Sequence, residues 1–262
     1  MRSPVRPVKA LGQHFLKDPE IAGDIANTLI DEGTFDTVLE IGPGTGMLTR
    51  FLLERFGNRL HVIEVDNRSA EHLTNTFPEL GNRIHRSDFL KFDIESLHAK
   101  GLAIIGNYPY NISSQILFRV LEYYVQVPML AGMFQKEVAM RIASGPGSRD
   151  YGILSVLLQA HYDIEYLFSV PPHVFEPPPK VQSGVIRLTL KKDNLLGCSP
   201  RSFKHVVKTA FNQRRKTLKN SLLKLSGGLT EFPYSTLRPE QLDYRKFVEL
   251  VHYFENQGLQ IS

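Results

Sequence analysis

Tryptophan is missing from this chain of 262 residues, and cysteine occurs once, at Cys198. A lone thiol excludes an internal disulfide, a multi-cysteine zinc site and an iron–sulfur cluster. Cys198 sits in a predicted linker, Leu196-Gly197-Cys198-Ser199-Pro200, and reads as a bystander rather than a nucleophile. No apolar run is long enough to span a bilayer, and residues 1–9 lack the apolar stretch of a signal peptide. A soluble, cytoplasmic protein with no membrane contact is expected. None of the nine histidines falls in a His-Glu-x-x-His pattern, so no metal is expected. Acids are scarce in residues 191–225, where Asp193 stands alone against ten Lys and Arg. That segment carries +9 in a chain of net charge +4, which leaves −5 for the remainder. Basic charge concentrated in this way is expected where a polyanion docks.

What is present supports a large folded core. With 42% hydrophobic and 22% charged residues the chain is not globally disordered. Short β-rich runs at residues 37–41, 60–65, 102–105 and 129–134 alternate with helical patterns such as 47–55 and 113–124. This alternation predicts a largely parallel, doubly wound α/β sheet. Two further strands, 164–170 and 181–190, flank the Pro-rich stretch 171–179 and predict an antiparallel hairpin that finishes the sheet. Beyond residue 190 the pattern is helical to the end, with Phe203, Val206, Val207, Ala210, Phe211, Leu218 and Leu222 at helical spacing. A boundary near Lys192 divides the chain into domains 1–192 and 193–262, with residues 1–10 as a basic arm.

The first strand runs into Gly42-Pro43-Gly44-Thr45-Gly46, a turn that lets a ligand lie against bare backbone at a helix N-terminus. A dinucleotide fingerprint needs glycine at position 47, which is Met47, so NAD and FAD are disfavoured. No Lys-Ser/Thr pair follows, so the turn is not a Walker A loop. Glu64 and Asp66, two residues apart at the next strand end, compete as acceptor of a ribose. Asp88 ends the strand after that and is placed to accept an adenine amine, or to cap a turn before Phe89. Asn107-Tyr108-Pro109-Tyr110 then closes an apolar run: a side-chain amide, a rigid proline and an aromatic make a socket for a flat, amine-bearing ring. By itself the tetrapeptide also reads as an ordinary turn.

Gly12-Gln13-His14-Phe15-Leu16, the stretch from Glu40 to Gly46, Val62-Ile63-Glu64-Val65-Asp66, and residues 107–113, 175–183 and 211–222 occur in order along nearly the whole chain. Together they resemble the KsgA/RsmA family of ribosomal RNA small-subunit adenine dimethyltransferases. The resemblance implies a Rossmann-like class I methyltransferase domain, with its terminal antiparallel hairpin, and a small all-α C-terminal domain that binds RNA. It implies S-adenosyl-L-methionine as cofactor, S-adenosyl-L-homocysteine as product, and N6,N6-dimethylation of two adjacent adenosines in the 3'-terminal hairpin loop of 16S rRNA. The implied partner is 16S rRNA within the immature small ribosomal subunit, met by a monomer.

On this resemblance His14, Leu16, Gly42, Gly44, Glu64 and Asp88 hold the cofactor, with Asn107 beside its sulfonium, and the family's motif favours Glu64 over Asp66 for the ribose. Asn107 Oδ1 and the Pro109 carbonyl would accept the two N–H bonds of the target amine. Tyr110 would stack on the base, and Phe175 would close from the other side. Lys204, Lys208, Arg214, Arg215, Lys216 and Lys219 are the expected phosphate contacts. Two positions depart from the family pattern: Tyr108, where Leu or Ile is commoner, and Gln182, where Asp is common. The Tyr108 ring is expected to point away from the Asn107 amide. Two other readings stay in view: a large-subunit rRNA adenine methyltransferase of the macrolide-resistance type, and an assembly factor that binds RNA without catalysis.

Overall fold

A computed structural model describes residues 5–193 and 195–261. In chain order the elements are β1 (Phe15–Leu16), α1 (Pro19–Ala26), β2 (Thr37–Ile41), α2 (Met47–Phe56), β3 (Leu60–Glu64), α3 (Asn67–Thr76), β4 (Ile84–Arg86), β5 (Leu102–Asn107) and α4 (Ser113–Glu122). They continue with β6 (Met129–Gln135), α5 (Lys136–Ala143), α6 (Ile153–Gln159), β7 (Tyr162–Val170), β8 (Phe175–Glu176), β9 (Ser183–Leu190), α7 (Pro200–Phe211), α8 (Leu218–Ser221) and α9 (Tyr244–Asn256). The first four residues of the expected basic arm lie outside the described residues, while Lys9–Leu11 form a short 3-10 turn and Val5 is buried.

The main sheet has the strand order β4-β3-β2-β5-β6-β9-β7. From β4 to β6 neighbouring strands run parallel, and β9 joins β6 antiparallel, from Met129 opposite Thr189 to Gln135 opposite Ser183. All five residues of β2 and the first five of β5 are buried, as expected of strands covered on both faces. The hairpin predicted for the end of the sheet is therefore present, with its second strand inserted between β6 and β7. The chain runs outward from β2 to β4, then restarts at β5 on the other side of β2. That reversal leaves a crevice at the carboxyl ends of β2 and β5, where ligands of open α/β sheets gather.

Capping residues set where several helices begin. Asp18 accepts hydrogen bonds from the Glu20 and Ile21 amides ahead of Pro19, the first residue of α1. Asp66 does the same for α3 through the Arg68 amide, and Asp243 for α9 through the Lys246 amide. Beneath the crevice, α1 and α2 pack with β2, β3 and β5 into one apolar core that includes Ile25, Leu29, Val38, Leu52, Val62 and Ile105.

The chain forms two compact units: residues up to Ala139 with Ile164–Leu190, and Met140–Asp163 with the residues from Lys191 onward. Besides the change of unit at 190/191, the chain crosses at 139/140 and again at 163/164, because residues 140–163 pack with the C-terminal helices. Within that unit Tyr151 meets the ring of Phe211, the Gly147 amide donates to the Glu240 carbonyl, and Lys191 Nζ lies 4.3 Å from the Tyr244 ring centroid. The helical pattern through residues 203–222 is broken: α7 ends at Phe211, and α8 is a single turn from Leu218.

Candidate active site

The crevice is a pocket whose wall includes Gly12, Gln13, His14, Phe15, Gly42, Gly44, Glu64, Val65, Asp88 and the run from Asn107 to Ile112. Five segments far apart in sequence converge here, because each follows a strand end or crosses one. His14, Gly42, Gly44, Glu64, Asp88, Asn107, Pro109 and Tyr110 are brought together. Leu16 and Phe175 are not part of the wall.

The two competing acids separate by partner. Glu64 is buried on the pocket wall; its Oε2 accepts from the Gly44 amide at 3.1 Å and its Oε1 from the Asp66 amide at 2.8 Å. Burial holds the Glu64 carboxyl above the usual range, against those two amides. Asp66 instead spends its oxygens mainly on α3, accepting from the Arg68 amide and guanidinium and the Ser69 hydroxyl, with the Gln13 side-chain amide a further donor at 3.4 Å. The Arg68 hydrogen bonds hold its carboxyl below the usual range. Asp66 is therefore a helix cap off the pocket wall, whereas Glu64 lines it. Below them Glu40 is 1% exposed with its Oε2 unpartnered among the described residues. Burial and the neighbouring Glu64 push its pKa to about 8.

Asp88 Oδ1 caps the turn at the Leu90 amide, 3.0 Å away, and the residue also lines the pocket. Val65, next to Glu64 in the chain, is 53% exposed and lines the same pocket.

At the end of β5, Asn107 is half-buried, and its Nδ2 donates to the His14 carbonyl at 2.8 Å. With the amide's donor turned toward His14, Oδ1 is the atom of this side chain that can only accept. The His14 ring stacks on Tyr110 with centroids 5.5 Å apart, and its Nδ1 donates to the Pro177 carbonyl at 2.7 Å. Tyr110 is further held by a 2.6 Å hydrogen bond between its hydroxyl and Ser183. Gly12 passes so close that a Cβ there would stand 2.7 Å from Asn111 Oδ1.

Three of the expected site residues make structural contacts that the sequence does not reveal. Phe175 is 1% exposed and belongs to the apolar core, because β8 pairs with β1 and seats Phe175 opposite Leu16. It is not on the pocket wall. The same pairing buries the Leu16 side chain, while Phe15, its neighbour on the opposite face, lines the pocket. Arg214 donates to the Ser148 and Arg149 carbonyls and pairs with Glu240 at 3.5 Å, so it braces its own unit. Arg215, Lys216 and Lys219 are exposed, as is Lys208, while Lys204 is half-buried.

The departures have local explanations. Gln182 Oε1 accepts from Lys136 Nζ at 2.8 Å, and the Gln182 carbonyl accepts from the Lys136 amide, which fixes the start of β9 without an acid. Tyr108 is 1% exposed and points into the sheet, away from the pocket-facing amide, with its hydroxyl on the Ala131 carbonyl at 2.7 Å. Among the described residues no group of three or more His, Cys, Asp or Glu gathers to hold a metal. Among them, too, no helix is long and apolar enough to cross a membrane.

Comparison with known proteins places this geometry. A family model described as "Ribosomal RNA adenine dimethylase" matches residues 7–255. "Ribosomal RNA small subunit methyltransferase A" of Parabacteroides distasonis is 56% identical over 251 residues, covering 94% of this chain and 93% of that protein. A dimethyladenosine transferase from Plasmodium falciparum shares the fold with a TM-score of 0.80 at 24% identity, over 95% of this chain and 100% of its own. The 23S rRNA methyltransferase ErmE superposes with a TM-score of 0.68 at 25% identity, over 91% of this chain and 99% of that one.

Proposed function

Because the chain belongs to the ribosomal RNA adenine dimethylase family, we propose that its pocket holds S-adenosylmethionine and that the Asn107–Tyr110 socket presents an rRNA adenine to it. The protein is an enzyme, an S-adenosylmethionine-dependent adenine dimethyltransferase of small-subunit rRNA. Its targets on this reading are the N6 amines of two adjacent adenosines in the 3'-terminal hairpin loop of 16S rRNA. It acts as a cytoplasmic monomer on the immature small subunit.

The residues present fit the cofactor. Gly42 forms the pocket floor, where a Cβ would project toward the Pro109 ring 3.8 Å away. Glu64 keeps free lone pairs on both oxygens for ribose hydroxyls, Asp88 offers an acceptor to the adenine amine, and Val65 offers an apolar surface for the ring. His14 stands where this cavity meets the socket. When bound, S-adenosylmethionine supplies a methyl group on a positively charged sulfur.

An adenine amine is a weak nucleophile because its lone pair is delocalised into the ring. Asn107 Oδ1 and the Pro109 carbonyl, accepting its two N–H bonds, pull the nitrogen toward tetrahedral geometry and aim the lone pair into the pocket. Tyr110 holds the base by stacking, a contact that contributes ~1–3 kcal/mol per base. No strong general base is needed, since the alkylated amine is acidic enough to lose its proton to water. Orientation of the reacting groups accounts for about 7–11 kcal/mol of barrier lowering in well-aligned systems. The base must leave its stack to enter the socket, and the exposed cations Lys208, Arg215, Lys216 and Lys219 supply phosphate contacts that hold the RNA.

The observation that carries this reading is the Asn107 amide held by His14, with its oxygen left as acceptor beside Pro109. Small-subunit particles from cells lacking the protein should take up labelled methyl groups at two adjacent adenosines, and Asn107→Ala should abolish the uptake. Labelling of large-subunit rRNA instead, or full activity in Asn107→Ala, would sink it. A binding role without catalysis predicts normal subunit maturation with a Glu64→Ala protein that transfers no methyl.

A further inference from the structure

We propose that Tyr108, the residue between the two amine acceptors, is a positioning residue that favours the second methyl transfer in this chain, whose Gly106–Gly132 slot takes a phenol in place of the commoner Leu or Ile; the inference rests on the socket reading above. Its side chain leaves the pocket and enters the sheet. The phenol hydroxyl donates to the Ala131 carbonyl at 2.7 Å, the Tyr108 amide donates to the Met133 carbonyl at 3.1 Å, and the ring packs on Phe134 with centroids 4.6 Å apart. The slot it fills is made by two glycines directly opposite each other on β5 and β6, Gly106 and Gly132. A Cβ at Gly132 would stand 2.7 Å from the Tyr108 ring and 2.3 Å from the Gly106 carbonyl oxygen; one at Gly106 would stand 3.2 Å from the ring. Gly132 takes φ +140°, a conformation that side chains rarely adopt, and the carbonyl just before it is the one that receives the phenol.

Tyr108, Gly106 and Gly132 are therefore one lock. It fixes the backbone of the socket loop at a set depth and pins Asn107 and Pro109, on either side of Tyr108, relative to β6. This matters unequally for the two transfers. In the first, two N–H bonds meet two acceptors and orient the amine. In the second, one hydrogen has been replaced by methyl, so a single N–H remains and the other acceptor faces carbon. Alignment then depends on how rigidly the loop holds its remaining acceptor and the ring. Loosening the lock should slow the second transfer more than the first.

The test compares Tyr108→Phe, which removes only the hydroxyl, and Tyr108→Leu, which empties much of the slot, with the natural enzyme on small-subunit particles. Monomethyladenosine and dimethyladenosine are quantified with enzyme in excess. Their partition does not depend on the fraction of enzyme that is folded, so a merely structural role leaves it unchanged. We expect the rate ratio of second to first transfer to fall about tenfold in Tyr108→Leu and severalfold in Tyr108→Phe, a tenfold change being about 1.4 kcal/mol. S-adenosylmethionine affinity by calorimetry should stay within about twofold, and amide exchange at position 108 should accelerate. An unchanged product ratio in both variants overturns the proposal, as does a loss traced wholly to weaker cofactor binding. Asn107→Ala, measured alongside, separates the two readings: if it retains activity the socket itself is wrong, whereas its inactivity beside unchanged Tyr108 variants removes only the lock.

Discussion

Glu64 and Asp66 show how much one residue's surroundings decide. They are two positions apart and chemically alike, yet Glu64 is held by two backbone amides at the pocket and Asp66 by Arg68 at a helix start. Glu64→Gln should weaken S-adenosylmethionine binding by calorimetry with little change in thermal midpoint. Asp66→Asn should leave affinity within severalfold; equal losses in both would contradict the division of roles. Glu40 gives a pH signature. Its folded pKa of about 8 lies above its ordinary value, so the folded state binds the proton more tightly than the unfolded chain. Its contribution to stability is complete at acidic pH below the ordinary carboxyl range and is lost as pH rises through about 8. Urea unfolding at pH 5 and at pH 8.5 should show the natural protein losing more stability than Glu40→Gln across that interval. The difference should be on the order of a few kcal/mol.

At the scale of elements, the Gly-rich turn explains its own spacing. Gly46 caps the start of α2 at φ +81°, and a Cβ there would stand 2.3 Å from the Phe77 ring. The third glycine thus comes one residue earlier than a dinucleotide site requires because it lets α2 start immediately and lets Phe77 close over the turn. Gly46→Ala should cost about 1–3 kcal/mol, read as a lower midpoint in thermal or urea unfolding. The sequence pattern located β2, β3, β5 and β6, because buried parallel strands are continuous apolar runs. It did not show that β1 and β8 pair, since two-residue strands carry no periodicity and their partners are 160 residues apart. That missed pairing is why Phe175 was expected at the socket mouth and is found in the core.

For the molecule as a whole, the basic segment and the catalytic pocket lie in separate compact units. The charge bias of residues 191–225 was visible directly, but not which cations are structural. Arg214 is engaged by the backbone of residues 148–149, a partnership only the fold creates. Replacing Arg215, Lys216 and Lys219 together by Ala should reduce the steepness of RNA affinity against salt by about 2 logarithmic units per decade, using the single-strand slope per phosphate contact. Arg214→Ala should instead lower the unfolding midpoint. Filter binding across a salt series, beside a melting curve for each variant, reads both effects.

The sequence by itself determined which groups stand at the strand ends: a Gly turn one residue out of register for dinucleotides, acids at positions 64, 66 and 88, and an amide-proline-aromatic run at 107–110. These were legible because strand ends are local events marked by the change from apolar runs to Gly, Pro and acids. The tertiary structure alone decided which acid lines the cavity, that Phe175 and Leu16 are core, that residues 140–163 join the C-terminal unit, and that Tyr108 needs Gly106 and Gly132. Each of those is a contact between segments distant in sequence, fixed by shape and by the need to satisfy buried polar groups rather than by local pattern.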